Sequence, residues 1–417
     1  MKILRYATAR RTWLILVYCS IVGALLIGRS SLPPERLFGD DANQYHQTAV
    51  HLSQQLFFSF DGMTPYAYRE PGYSVFLASI YRIFGIGNAS AIFLSQAVIL
   101  LIAAVLFSSR LKTIGLQDTT SDVFLALLLL FPATFHTIFF VMRECFVLSL
   151  MLFLSTAFLE FRRVQSWKMA IAIGIMIAAI QLTYLSFFFL PLLFLLLTFV
   201  YRWKWRFLSA LVALPFLLTM LWGARNYQAD GQFRIIDSAR TSVMWYVRGE
   251  QAENISFFEA PKCLWAEYIS RDWTGLSDAC SFNGLMHRRW PDSTMITDAE
   301  TAARSGKAKI LTHFPNYVAF SLWEVVELHL PYVNGWGAVY NSLAVLGSVV
   351  LYIGFLFALP ALRRKELLFF WLVIGYTIGV FVLTDATPRY LMPIIFCYAV
   401  LSAVGYVDFF SWVRKRS

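Results

Sequence analysis

The chain has 417 residues, of which 58% are hydrophobic and 14% charged. Soluble domains average about 25% charged residues, so this composition excludes an ordinary soluble enzyme and defines an integral, polytopic membrane protein. The net charge of +10 does not mark a nucleic-acid binder, because the basic residues fall in short clusters between apolar runs, as membrane topology requires.

Lys2, Arg5, Arg10 and Arg11 precede an apolar run over 13–27. The segment 28–33 is a poor signal-peptide cleavage site, so the run is expected to be an uncleaved first span. Further apolar runs fall near 89–109, 121–142, 145–161, 168–184, 185–201, 207–224, 338–360, 366–384 and 389–411. With 12–28 they make about ten transmembrane helices. With ten spans, every basic cluster lies on one side: the N-terminal group, Arg110/Lys112, Arg162/Arg163/Lys168, Arg202/Lys204/Arg206, Arg363/Arg364/Lys365 and Arg414/Lys415/Arg416. That side is expected to be the cytoplasm, with both termini in it. Counting 72–84 as another full span would scatter the clusters, so 71–85 is expected to be a juxtamembrane or re-entrant helix on the outer face. The expected fold is an all-α polytopic membrane domain over 1–417, with large outer loops at 30–88 and 225–337.

The first outer loop is polar and acid-bearing. After Asp40 and Asp41, apolar residues recur at Ala42, Tyr45, Ala49, Leu52 and Leu56, a helical spacing of three and four. Such a helix would lie along the membrane surface with both aspartates at its N-terminus. Two readings stand for this pair. Aspartate at a helix start caps free amides and meets the positive end of the dipole. Alternatively, a carboxylate kept ionised there is suited to take a proton from an acceptor hydroxyl.

The pattern Asp41-x3-Tyr45-x3-Ala49, then Tyr68-Arg69-Glu70-Pro71-Gly72-Tyr73, Phe76-Leu77-Ala78 and Tyr81-Arg82-Ile83-Phe84-Gly85 resembles the first outer loop of the GT-C membrane glycosyltransferases. The nearest resemblance is to glycosyltransferase family 39-like enzymes, among them protein O-mannosyltransferases and the lipid A aminoarabinose transferase. Ser74 departs from the proline often found after the Gly-Tyr. The run Trp222-Gly223-Ala224-Arg225-Asn226-Tyr227 resembles the family's Trp-x-x-Arg-Asn-Tyr, and Thr387-Pro388-Arg389-Tyr390-Leu391-Met392-Pro393 its Arg-Tyr-x-x-Pro turn. The resemblance covers most of 1–240 and the final third. It implies a catalytic base at Asp41, with Asp40, Tyr45, Glu70, Tyr73, Asn226 and Tyr390 in support. Arg69, Arg225 and Arg389 would neutralise the phosphate of the donor. It also implies an acidic residue at the head of a span, Glu144, tied to donor phosphate or to a metal. Without the family, Arg143 and Glu144 form an interfacial pair that satisfies itself.

The expected activity is therefore transfer of a sugar from a polyprenyl-phosphate donor to a hydroxyl on a glycan, glycolipid or protein acceptor. It would take place at the outer face of the plasma (bacterial inner) membrane, with inversion. The alternatives are a transporter or flippase, or a polymerase or ligase, of lipid-linked glycans. No cofactor is certain; a divalent metal at Asp41 and Glu144 is left open. Cys263 and Cys280 share the second outer loop, where oxidation to a disulfide and two free thiols are both allowed.

Overall fold

The computed structural model describes residues 2–30, 40–231, 233–235, 238–256, 258–259, 285, 289, 298–331, 337–384 and 387–416. The chain divides into two compact units. One comprises Met1–Ile235, Trp336–Gly375 and Met392–Ser417, the other Ile236–Gly335 and Tyr376–Leu391. The pair Cys263 and Cys280 lies outside the described residues.

The helices, in chain order, are α1 (Lys2–Ser30), α2 (Asp40–Gln55), α3 (Pro71–Phe84), α4 (Ala89–Arg110), α5 (Asp118–Leu129), α6 (Pro132–Ile138), α7 (Glu144–Val164) and α8 (Trp167–Gln181). There follow α9 (Leu190–Val200), α10 (Leu214–Asp230), α11 (Ser238–Asn254), α12 (Ala299–Thr312), α13 (Phe314–Leu328), α14 (Ala338–Phe357), α15 (Leu368–Thr384) and α16 (Ile395–Arg414). All ten apolar runs are helical, but they are not ten equal spans. Among the described residues, seven helices are long and apolar enough to cross a membrane, and up to eight if the bent pair α5 and α6 is one span. The remaining apolar helices, Trp167–Gln181 and Leu185–Val200, are shorter than the roughly 20 residues that match the hydrocarbon core.

The breaks have local causes. The α5–α6 pair bends by 56° at Phe131–Pro132. Pro132 donates no amide hydrogen bond, and the residue before a proline is driven out of the helical region; Phe131 is extended at φ −67°, ψ 122°. Thr134 Oγ1 donates to the Leu128 carbonyl at 2.9 Å, and Gln96 Nε2 donates to the Ile138 carbonyl at 2.7 Å. Past α8, Gln181 Nε2 donates to the Phe188 carbonyl at 2.6 Å, while Thr219 Oγ1 donates to Gln181 Oε1 at 2.9 Å. Backbone freed from helical bonding in an apolar setting is tolerated where the protein itself satisfies it.

The first loop folds as expected into two short helices, α2 and α3. Ala42, Tyr45 and Ala49 are buried, which bears out the apolar face of α2. Leu56 does not belong to that face: it lies past the helix end at φ 56° and is exposed. Helix α2 packs on α3 through the Tyr45 and Tyr73 rings, perpendicular with centroids 5.2 Å apart, and through the Thr48 and Ser74 hydroxyls at 2.6 Å. Between the helices, Ser59 and Pro65 form an antiparallel bridge, and Asp61 closes the tip by accepting from the Met63 and Thr64 amides at 2.8 Å. Those amides, first that of Thr64, with the Thr64 and Ser59 hydroxyls, hold the Asp61 carboxyl well below the usual carboxylate range.

Helix α3 is seated on the end of α8. The Gly72 amide donates to the Leu182 carbonyl at 2.7 Å. A Cβ at residue 72 would overlap Thr183 Oγ1 and come within 2.9 Å of the Leu182 oxygen, so only glycine permits this approach.

In the second unit, α11, α12 and α13 pack together. Gly249 and Gly306 let the α11 and α12 backbones touch directly. Arg248 is fully buried. It pairs with Glu324 and donates to Gln251 Oε1 at 3.1 Å, Ser321 Oγ at 2.7 Å and the Val382 carbonyl at 3.1 Å. The Tyr317 and Phe320 rings flank it at 5.2 and 5.0 Å. Tyr317 OH donates to the Leu383 carbonyl at 2.9 Å, so two side chains satisfy carbonyls at the end of α15.

Candidate active site

Asp40 is the first residue of α2 and Asp41 the second. The Asp41 carboxylate accepts from a terminal nitrogen of Arg69 and keeps 34% of its side-chain surface exposed. Arg69 is 4% exposed. Its Nε donates to Gln44 Oε1 at 2.6 Å, and the Tyr45 and Tyr68 rings lie 5.4 and 5.7 Å from the guanidinium carbon. Burial by itself lowers the proton affinity of this guanidinium, but Asp41, Tyr45 and Glu70 outweigh it and leave the net shift upward. Arg69 is thus a permanent cation held against a carboxylate that solvent reaches.

Glu70 turns the other way. Its Oε2 accepts from Arg143 at 2.7 Å and its Oε1 from the Leu185 amide at 3.0 Å. Arg143 stacks 3.8 Å from the Tyr184 ring centroid. This differs from the alternative reading of a self-satisfied Arg143–Glu144 pair. Arg143 sits just before α7, and its guanidinium reaches across to the first loop. Glu144, the first residue of α7, is buried, and its Oε2 has no hydrogen-bond partner among the described residues. Asp41, Arg69, Glu70, Arg143 and Glu144 therefore alternate in sign, three acids against two arginines, within one electrostatic cluster.

Tyr73 is a packing residue. Its ring meets Tyr45, and its hydroxyl donates to Gln96 Oε1 at 3.0 Å. Arg225 donates to the Tyr66 carbonyl at 3.2 Å and the Phe58 carbonyl at 3.0 Å, with the Trp222 ring at 4.9 Å. It therefore clasps the base of the first-loop hairpin. Asn226 Nδ2 donates to the Arg234 carbonyl at 2.7 Å, and Trp222 Nε1 to the Ile235 carbonyl at 3.1 Å. The Trp-x-x-Arg-Asn run is thus a set of backbone clasps in the first unit. In the second unit, Arg389 and Tyr390 lie in a 3-10 turn, Pro388–Ile394. The Arg389 guanidinium is 5.2 Å from the Tyr390 ring, and Tyr390 stacks on Phe381 at 4.8 Å.

The site also has members that sequence reasoning missed. Gln44 lies three residues after Asp41, on the same helix face, a spacing that signals a shared partner. Tyr66 carried no local signal of its contacts, and Arg143, named from the sequence beside Glu144, carried none of its pairing with Glu70. Among the described residues no three His, Cys, Asp or Glu side chains form a group able to hold a metal ion, and no step is assigned to one.

No protein-family model matches the chain, and no curated protein matches it. Among solved structures it is similar to ArnT from Cupriavidus metallidurans bound to undecaprenyl phosphate, at 16% identity and a TM-score of 0.44. It is likewise similar to the apo state of that protein, at 16% and 0.43; each match covers 95% of this chain and 78% of the other.

Proposed function

We propose that the protein is a GT-C-type glycosyltransferase of the bacterial inner membrane, with Asp41 as general base. The observation that carries this reading is the solvent-reached Asp41 carboxylate clamped to a buried arginine. An adjacent cation keeps a carboxylate ionised, and orientation by a third group is how a base is held ready. Asp41 takes the proton of an acceptor hydroxyl as its oxygen bonds to the anomeric carbon. The bond from that carbon to the lipid phosphate breaks on the opposite face, with inversion. The phosphate keeps the electron pair and leaves on the polyprenyl chain.

The roles of the other residues follow from their contacts. Arg69 is committed to Asp41 and Gln44, which suits it to orient the base rather than to receive phosphate. Arg225 is only half-buried and is the better candidate to meet growing negative charge on the leaving group. Glu144 would repel a phosphate; an unpartnered buried carboxylate oxygen suits a sugar hydroxyl instead.

The test is Asp41→Asn in membranes supplied with polyprenyl-phosphate-linked sugars. Loss of general-base help lowers transfer by about 10²- to 10⁴-fold. Transfer at the wild-type rate refutes the proposal. Mass spectrometry of envelope glycolipids and glycoproteins, with and without the intact gene, names the sugar and its acceptor by what disappears.

A further inference from the structure

Arg69 is gripped by α2 at two points. Its Nε donates to Gln44 Oε1 at 2.6 Å, and a terminal nitrogen donates to Asp41. The two acceptors are one turn apart on the same face of α2. Arginine has donors only, so the Gln44 oxygen, not its amide nitrogen, must face Nε. That oxygen also accepts from the Tyr66 hydroxyl at 3.0 Å. Tyr66 is itself fixed: its amide donates to the Phe58 carbonyl at 3.0 Å, its carbonyl accepts from Arg225 at 3.2 Å, and its ring stacks on Phe60 at 5.6 Å. Gln44 is therefore held from the hairpin side while it holds the arginine.

Asp41 alone would leave the guanidinium free to swing about its Cδ–Nε bond. A second acceptor at Nε fixes the plane of the fork. We propose that Gln44 is a positioning residue, which through Arg69 sets the orientation and the proton affinity of the Asp41 carboxylate. The proposal rests on the reading of Asp41 as base and adds to it a neutral acceptor one turn away. Neutrality is the point: a carboxylate at position 44 would compete for Arg69 and place a second negative charge near Asp41. Like charges disfavour ionisation and raise the pKa of the base.

The experiment uses membranes carrying the full chain, supplied with polyprenyl-phosphate-linked sugars over a range of concentrations. Product is quantified from about pH 3 to about pH 8, a range spanning the titration of an aspartate held beside a cation. The variants are Gln44→Glu, Gln44→Leu and Asp41→Asn, each corrected for folded protein by size exclusion. Gln44→Glu is expected to move the acid limb of the rate profile up by about one pH unit. Gln44→Leu, which leaves Arg69 Nε without its acceptor, is expected to lower kcat about tenfold or more with little change in donor KM. An acid limb of Gln44→Glu that superposes on wild type overturns the proposal. So does a loss in Gln44→Leu that only tracks the folded fraction. An inactive Asp41→Asn beside an unshifted Gln44→Glu limits that failure to Gln44. An active Asp41→Asn removes the base and this proposal together.

Discussion

Removing the Glu70 carboxylate should loosen the first loop from the helices that carry it. The Glu70 and Arg143 side chains are only 3% and 5% exposed and meet at 2.7 Å. Deleting one partner of such a pair strands the other charge, at about 3–5 kcal/mol. Two features pull the expected value toward the lower end. Arg143 keeps the Tyr184 ring at 3.8 Å, worth up to about 2 kcal/mol when desolvated, and Glu144 adjoins it in sequence. The Leu185 amide also loses its 3.0 Å acceptor, which adds a penalty of about 1 kcal/mol or more. The expectation for Glu70→Ala is therefore about 3 kcal/mol, near a hundredfold in the folded-to-unfolded ratio. Glu70→Gln keeps an oxygen for Leu185 and should lose about half as much. Pairing Glu70→Leu with Arg143→Met removes both charges, and the double variant should recover most of the loss. The measurement is equilibrium unfolding in detergent, followed by tryptophan fluorescence and read as a double-mutant cycle. Glu70→Ala within about 0.5 kcal/mol of wild type, or strictly additive losses in the cycle, would show that the pair does not seat the loop.

Three further outcomes follow. Gly72→Ala should force α3 off the Leu182–Thr183 backbone and destabilise by about 1–3 kcal/mol or more; undiminished protection of the Gly72-equivalent amide in hydrogen exchange would contradict this. Arg248→Met should open the second unit, losing about 3–5 kcal/mol, and new limited-proteolysis cuts within α11 or α13 would report it. Asp61 has a lowered pKa, so its share of hairpin stability is present above the ordinary aspartate value and is lost as pH falls through the lowered one. Protection of the Met63 and Thr64 amides, measured against their intrinsic exchange rate at each pH, should fall only below about pH 4, and a fall nearer neutrality would count against the Asp61 staple.

Much of the layout was legible because it rests on local rules. Apolar length marks membrane helices, which is why all ten runs recur as helix. The spacing of Ala42, Tyr45 and Ala49 foretold the buried face of α2, and Asp40 and Asp41 do open that helix. Leu56 broke the pattern because a one-residue turn into positive φ lies outside any helical period. The short or bent helices were not legible as such, since hydropathy counts apolar residues and does not register a proline-driven break or the side chains that satisfy it.

The amino-acid sequence by itself determined the class of molecule, an all-α polytopic membrane protein, and singled out Asp41, Arg69 and Glu70 as unusual charges in an apolar chain. Only the tertiary structure decided who partners whom. Glu70 and Arg143 are 73 residues apart in the chain, and Arg225 reaches carbonyls 159 and 167 residues away. Such pairings depend on where helices come to rest after packing, not on any spacing along the chain. The same is true of Arg69: only packing brings its guanidinium against Asp41 and Gln44.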